Sequence, residues 1–279
     1  MSEIGSAADT SLRDRVYAIL STKPTTTSKT PALTSDLTID GELNLAAVGW
    51  EPVELVTGYA LFSVPFGLWN WGQGEIASVS GAHAQAFRNA ISRLHDEAAQ
   101  AGGHGVVGVR VERQLQPSHV EISLIGTAVR PVGASAILAK DVFVSDLSAR
   151  DFTLLSIAGW EPLGLAVGAS FVFAPRRSVG TVLKQQSQNV ELTNFTEAIT
   201  LARETAMARM QEAAVSLKGT GVVDVTVLEG PLPFASHAVA FTSWGTVVRP
   251  ARSGHAPVRP VMVVPLDDVT AAVRAETLA

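Results

Sequence analysis

The chain contains no cysteine among its 279 residues. That excludes disulfides, a thiolate nucleophile and a zinc ribbon, and leaves histidines and carboxylates as the side chains able to hold a transition metal. Charge is scarce as well. Asp, Glu, Lys and Arg make up 17% of residues, against roughly a quarter in an average soluble protein, which is little with which to wet a large monomeric surface. Charged residues are depleted at the centres of protein interfaces, so the scarcity points to a chain that covers part of its surface with copies of itself. No basic excess exists: 21 Lys and Arg against 26 Asp and Glu give a net charge of −5, which argues against nucleic acid or anionic lipid as a partner. The amino-terminal residues lack a basic start followed by an apolar stretch, so no signal peptide is expected and the cytoplasm is the expected location. The most apolar window, residues 154–174, is interrupted by Glu161, Pro162 and several glycines, so no membrane span is expected.

Apolar residues are plentiful at 47%, enough for two domains with cores of their own. They are arranged in a repeat. Ser35 to Gly58 aligns without gaps on Ser145 to Gly168, an offset of 110, with 10 of 24 positions identical. Arg93 to Val109 matches Arg209 to Val225 at an offset of 116, and Gly126–Pro131 matches Gly245–Pro250 at an offset of 119. Two copies of one module therefore span residues 35–131 and 145–250.

Each copy predicts the same order of elements, an α+β arrangement. Ser35-Asp36 and Ser145-Asp146 can cap a short helix that ends before Gly-Trp-Glu-Pro. A strand rich in β-branched and aromatic residues follows, at residues 53–64 and 163–174. A long helix comes next, over residues 81–101 in the first copy, and in the second from a cap at Asn194 with Glu197 three residues on. Two strands close each copy, 106–112 with 120–129 and 222–229 with 238–248. A three-stranded sheet covered by one helix leaves a face and an edge bare, so sheet-to-sheet packing between modules, and then between chains, is expected. Residues 1–34 read as a short helix and a Ser/Thr/Pro-rich tether, and 251–279 as a linker and a helix capped by Asp267. Both flanking helices are too short to stand alone and are available to a protein partner.

The run from Arg93 to Arg110 (RLHDEAAQAGGHGVVGVR), followed by Gly126-Thr127-Ala128-Val129, resembles the YbjQ-like family, labelled "putative heavy-metal-binding domain". The first copy places His104 where the family usually has Asn. The second keeps Arg209, Gly219, Gly221-Val222-Val223 and Gly245-Thr246, but carries Thr220 at the corner and Asp224 in place of Gly. The repeated motif positions are Arg93, Gly103, Gly105 and Gly126 in the first copy and Arg209, Gly219, Gly221 and Gly245 in the second. The resemblance implies tandem dodecin-like β-α-β-β subunits that assemble into pentamers or double pentamers, and it brings no common reaction with it.

Candidate sites are few. A metal would have to use His83, His95, His104, His119, His237 or His255 with carboxylates, and of these His104, His119 and His237 are the candidates; His119 and His237 each follow a serine at the entry to the last strand. Residues 102–108 are glycine-rich but follow a helix, enter a strand and lack Lys, the reverse of a phosphate loop. Ser118-His119 and Ser236-His237 lie on extended segments with no orienting Asp, which is no catalytic triad. Trp69 and Trp71, flanked by glycines, could pack against a neighbouring subunit or stack on a planar ligand, and Arg176 and Arg177 stand at the same place in the second copy. Trp50 and Trp160 read as structural, and Arg93 and Arg209 as holding carbonyls or a carboxylate. The expected function is a non-enzymatic, homo-oligomeric assembly protein, a ring of five chains without a required cofactor. The alternative is a container for a metal or a planar ligand.

Overall fold

The computed structural model describes residues 34–64, 74–135, 137–174 and 192–252, with two short strands beyond them. The elements run α1 (Ile39–Ala47), β1 (Trp50–Ser63), β2 (Gly74–Glu75), α2 (Ala77–Gln100), β3 (Gly105–Leu115), β4 (His119–Pro131), a 3-10 turn at Ala139–Asp141, and β5 (Phe143–Val144). They continue α3 (Ala149–Ile157), β6 (Trp160–Phe173), α4 (Thr193–Ser216), β7 (Gly221–Leu232), β8 (Ala235–Pro250), β9 (Met262–Val263) and β10 (Val273–Arg274). The architecture is α+β, and the order helix, long strand, long helix, strand, strand occurs twice.

The two halves agree down to their irregularities. β1 pairs antiparallel with β4 from Trp50↔Pro131 to Ser63↔His119, and β6 with β8 from Trp160↔Pro250 to Phe173↔Ala238. Each ladder slips just after its proline, between Pro52 and Glu54 and between Pro162 and Gly164. The β3–β4 and β7–β8 ladders slip at a matching point, and there Gly108 (φ 66°) and Asp224 (φ 54°) share the left-handed conformation. Asp is among the few residues that tolerate it, so the Gly-to-Asp exchange leaves the bulge intact. Helix and sheet approach closely in both halves. A Cβ on Gly58 would overlap the carbonyl oxygen of Ala90, and one on Gly168 that of Ala206.

Four local expectations are corrected. The short helices are capped by Thr38 and Ser148, whose side chains accept from Gly41 N and Asp151 N, three residues beyond Ser35 and Ser145. Asp36 N and Asp146 N instead donate to Thr127 Oγ1 (3.0 Å) and Thr246 Oγ1 (3.1 Å) on the adjoining sheets. α2 begins at Ala77, four residues before Gly81, because the chain is positioned by a tertiary pairing at Gly74–Glu75. Asn194 lies inside α4 and does not cap it. Val273–Arg274 pairs antiparallel with Met262–Val263, so the chain is extended there where a helix is expected.

The described residues do not form two separate bodies. They lie within one compact unit, Thr34–Ala279, and one apolar cluster joins Val56, Phe87 and Ile122 of the first half to Leu165, Phe171 and Trp244 of the second. Sheet packing between the halves takes a different form from the one expected: helix α2 lies between them, covering its own strands β1 and β4 on one side and β6 on the other.

Candidate functional site

The two halves are joined by a seam of paired strands and charged side chains. Each half lends the other a short strand. β5, which leads into the second half, adds parallel to β3 through Gly105↔Phe143 and Val106↔Val144, giving the sheet order β1-β4-β3-β5. Hydrogen bonds from Val109 N to Ser145 O (3.1 Å) and Gly108 N to Leu147 O (2.8 Å) prolong that pairing. In return β2 pairs with β6 through Gly74↔Phe173 and Glu75↔Val172, giving β2-β6-β8-β7. Neither strand could form on its own residues; each exists because an edge was open to receive it.

Glu75 locks the seam. Its carboxylate accepts from both terminal nitrogens of Arg209, from Ser80 Oγ (2.6 Å) and from Ser170 Oγ (3.2 Å). Burial alone pushes the Glu75 carboxyl up, but the hydrogen bonds from Arg209 and Ser80 outweigh it and hold it below the usual range. Arg209 also donates to Ala169 O (2.8 Å). Farther along, Arg113 Nη1 of β3 donates to Thr242 Oγ1 of β8 (2.6 Å).

The motif residues make packing and hydrogen-bonding contacts within the fold. Arg93 donates to Tyr59 O as Arg209 does to Ala169 O, so both hold carbonyls, and Arg209 holds a carboxylate as well. A Cβ on Gly103 would press on Ala128 Cβ at 3.0 Å, one on Gly126 on Val106 Cγ1 at 2.8 Å, and one on Gly245 on Val222 Cγ1 at 2.9 Å. A Cβ on Gly219 would overlap Val247, and one on Gly105 the ring of Phe143. At Gly221, the counterpart of Gly105, the nearest atom lies 3.9 Å away. Trp50 meets Phe143 and Phe152 edge-on at 5.8 and 5.3 Å. Trp69, Trp71, Arg176 and Arg177 lie outside the described residues.

The three candidate metal ligands are not brought together as a repeated pair. The register aligns His119 (opposite Ser63) with Ala238 (opposite Phe173), so His119 and His237 are not counterparts. His119 Nδ1 shares a hydrogen bond with Ser118 Oγ (2.9 Å), and His237 stacks on Phe173 at 5.4 Å. His104 is half-buried and its Nδ1 has no partner. Among the described residues no group of three or more His, Asp or Glu side chains clusters as a metal site would.

Sequence reasoning missed a cleft of about 740 Å³ where α2 passes β6 and α4, walled by Phe87, Ile91, Leu165 and Val167, with Arg209 and Glu212 also lining it. His83 lines it too. Its ring is wholly buried between Phe87 and Phe171, both nitrogens lack partners, and burial, aided by Arg113, pushes its pKa down to about 3. The ring is therefore neutral at physiological pH. The available signal was a lone His on the apolar stripe of α2.

Comparison with known proteins gives two matches. The family model YbjQ_1, described as "Putative heavy-metal-binding", matches residues 59–132, from the middle of β1 through β4. Across most of its length the chain is 32% identical, over 243 residues, to the "Encapsulin nanocompartment protein Rv1762c" of Mycobacterium tuberculosis (strain ATCC 25618 / H37Rv), covering 85% of this chain and 92% of that one. No solved structure matches significantly. No helix among the described residues is long and apolar enough to cross a membrane.

Proposed function

The chain belongs to the same family as the encapsulin nanocompartment protein Rv1762c, and from that premise we propose that it is a non-enzymatic assembly protein. Its chains join into a closed homo-oligomer in the cytoplasm, and that oligomer serves as a component of, or scaffold for, a protein compartment. Residues 145–250 act in it as a second YbjQ-like, dodecin-like module beside the first, and five chains closing a ring is the arrangement that the YbjQ resemblance implies. One observation carries the reading: matched faces of the two halves are covered to different degrees. Phe171 and Ala169 on β6 are 0% and 7% exposed, while Leu61 and Tyr59, at the same positions on β1, are 53% and 45% exposed. Apolar side chains left open on a regular sheet face mark a surface that another protein covers. Mass photometry across a range of concentrations tests this. A discrete multiple of the chain mass is expected, and a monomer at every concentration overturns it.

A second reading has its own observation. The unpartnered His83 lines a largely apolar cleft and can give or take one hydrogen bond, which suits a small amphipathic molecule. With one imidazole and no clustered carboxylates there, the cleft is a poor metal site. Native mass spectrometry of the purified protein would show adduct mass on the assembly, and bare protein alone would defeat this reading.

A further inference from the structure

Within the chain, the seam shows how a first-half surface and a second-half surface recognise each other, and each half carries the counterpart surface unused. Sheet β2-β6-β8-β7 has its outer face, with Ala169, Phe171 and Thr242, covered by α2 and its edge at β6 closed by β2. The counterpart face of the other sheet, with Tyr59, Leu61 and Ser123, is open, and among the described residues β1 has no strand on its free edge. The converse holds on the second half. Ile76, next to β2, is 3% exposed while its counterpart Leu192 is 44% exposed; Val109, beside β5, is 4% exposed while its counterpart Val225 is 40% exposed. β7 likewise has no neighbour on its outer edge among the described residues, where β3 has β5.

We propose that the second half of one chain docks on the first half of another as the two halves meet within the chain. Leu192 and the outer side of α4 cover Tyr59 and Leu61 of the next copy, and Val225, beside the open edge of β7, meets the same copy. This rests on the assembly reading above and specifies its interface. The occupant is a second copy because the only surface shown to fit such a face is the matching one of this same chain, and the charges agree. Where the internal seam has Phe87 on α2 and Ala240 on β8, the open surfaces carry Arg203 on α4 and Glu121 on β4, a complementary pair. Arg93 repeats the bond of Arg209 to the neighbouring strand but, among the described residues, has no carboxylate. Such contacts are head-to-tail, so each chain offers one donor and one acceptor surface, and successive chains close a ring if the rotation per chain permits.

Leu61→Asp and Leu192→Asp each spoil one of the two surfaces at an exposed position, and Arg93→Glu and Val225→Lys provide a second variant on each. With unchanged circular dichroism, each variant should fall in native mass spectrometry from the wild-type assembly to a single chain. A mixture of Leu61→Asp and Leu192→Asp chains retains one good junction and should give a one-to-one pair, twice the chain mass, and nothing larger. Wild-type-sized assemblies from both members of a variant pair overturn the proposal while leaving assembly intact. So does a mixture that stays single-chain where the wild type assembles. A wild type that never assembles would instead sink the assembly reading itself.

Discussion

β1 and β6 are one strand written twice, with the same register to the partner strand, the same slip after proline and the same glycine beneath the long helix, yet their burial differs. Residues 56–61 of β1 alternate between buried and exposed, whereas residues 168–173 of β6 are buried throughout. Alternation marks a sheet covered on one face, and continuous burial marks one covered on both. The difference lies in what each half is next to: α2 sits on the far side of β6, and nothing described sits on the far side of β1.

The largest effect should come from truncating the matched pair Phe171 and Leu61. Phe171→Ala removes a wholly buried ring and should cost about 3–5 kcal/mol in urea unfolding, whereas Leu61→Ala in the isolated chain should stay within about 0.5 kcal/mol. Equal costs would erase the distinction between the two faces.

The matched acids Asp36 and Asp146 should differ next. Asp36 pairs with Arg110 at 2.6 Å; the counterpart of Arg110 is Thr226, so Asp146 has no such cation. Burial pushes Asp146 up to about 6, with the Thr246 hydrogen bond opposing and Asp224 reinforcing. Because its folded pKa lies above the unfolded one, its proton is held more tightly in the fold. The stability gained in acid is complete below about pH 4 and is lost as pH rises through about 6, a change on the order of 2–3 kcal/mol. Chemical denaturation at pH 4.5 and 7.5 should show that part of the loss disappear in Asp146→Asn.

Gly105 and Gly221 give a smaller contrast. Gly105→Ala would force the Phe143 ring aside and should cost about 1–3 kcal/mol, while Gly221→Ala should leave the midpoint of thermal unfolding nearly unchanged. Comparable losses would show that the space beside Gly221 is not open. Smallest is the pair of ionic contacts. Glu75→Gln should lower stability by about 1 kcal/mol and do so above the carboxylate range, since a depressed pKa gives stability that is lost as pH falls. Glu51→Gln, which loosens an exposed pair with Arg130, should cost under about 0.5 kcal/mol.

Much of the fold was legible because it is written locally and twice. Ala90, Leu94 and Ala98 at helical spacing, the Gly-Trp-Glu-Pro corner and the glycine-ended helices identify elements without knowledge of partners. The caps were missed by three residues because Ser35 and Ser145 look like caps in isolation, while their neighbours Asp36 and Asp146 are engaged by Thr127 and Thr246 across the fold. The candidate site was much less legible. Arg93 and Arg209 look identical in sequence, and only the position of Glu75 makes one of them half of an ion pair. The sequence did hold one unread signal: Leu163 to Phe173 is nearly continuous in apolar and small residues, whereas Glu54, Thr57 and Tyr59 interrupt the matching run of β1.

Sequence alone determined the repeat, the α+β order of elements and the glycines on which helices rest on strands, because hydrophobic period and backbone sterics act over a few residues. The tertiary structure decided that β2 and β5 cross between halves, that α2 is buried on two sides and α4 on one, and that one of two equivalent sheet faces remains open. Two-residue strands and the choice of which face is covered have no local energy of their own. They follow from edges and surfaces meeting at sequence separations of roughly a hundred residues, where pairing and burial, and not propensity, set the outcome.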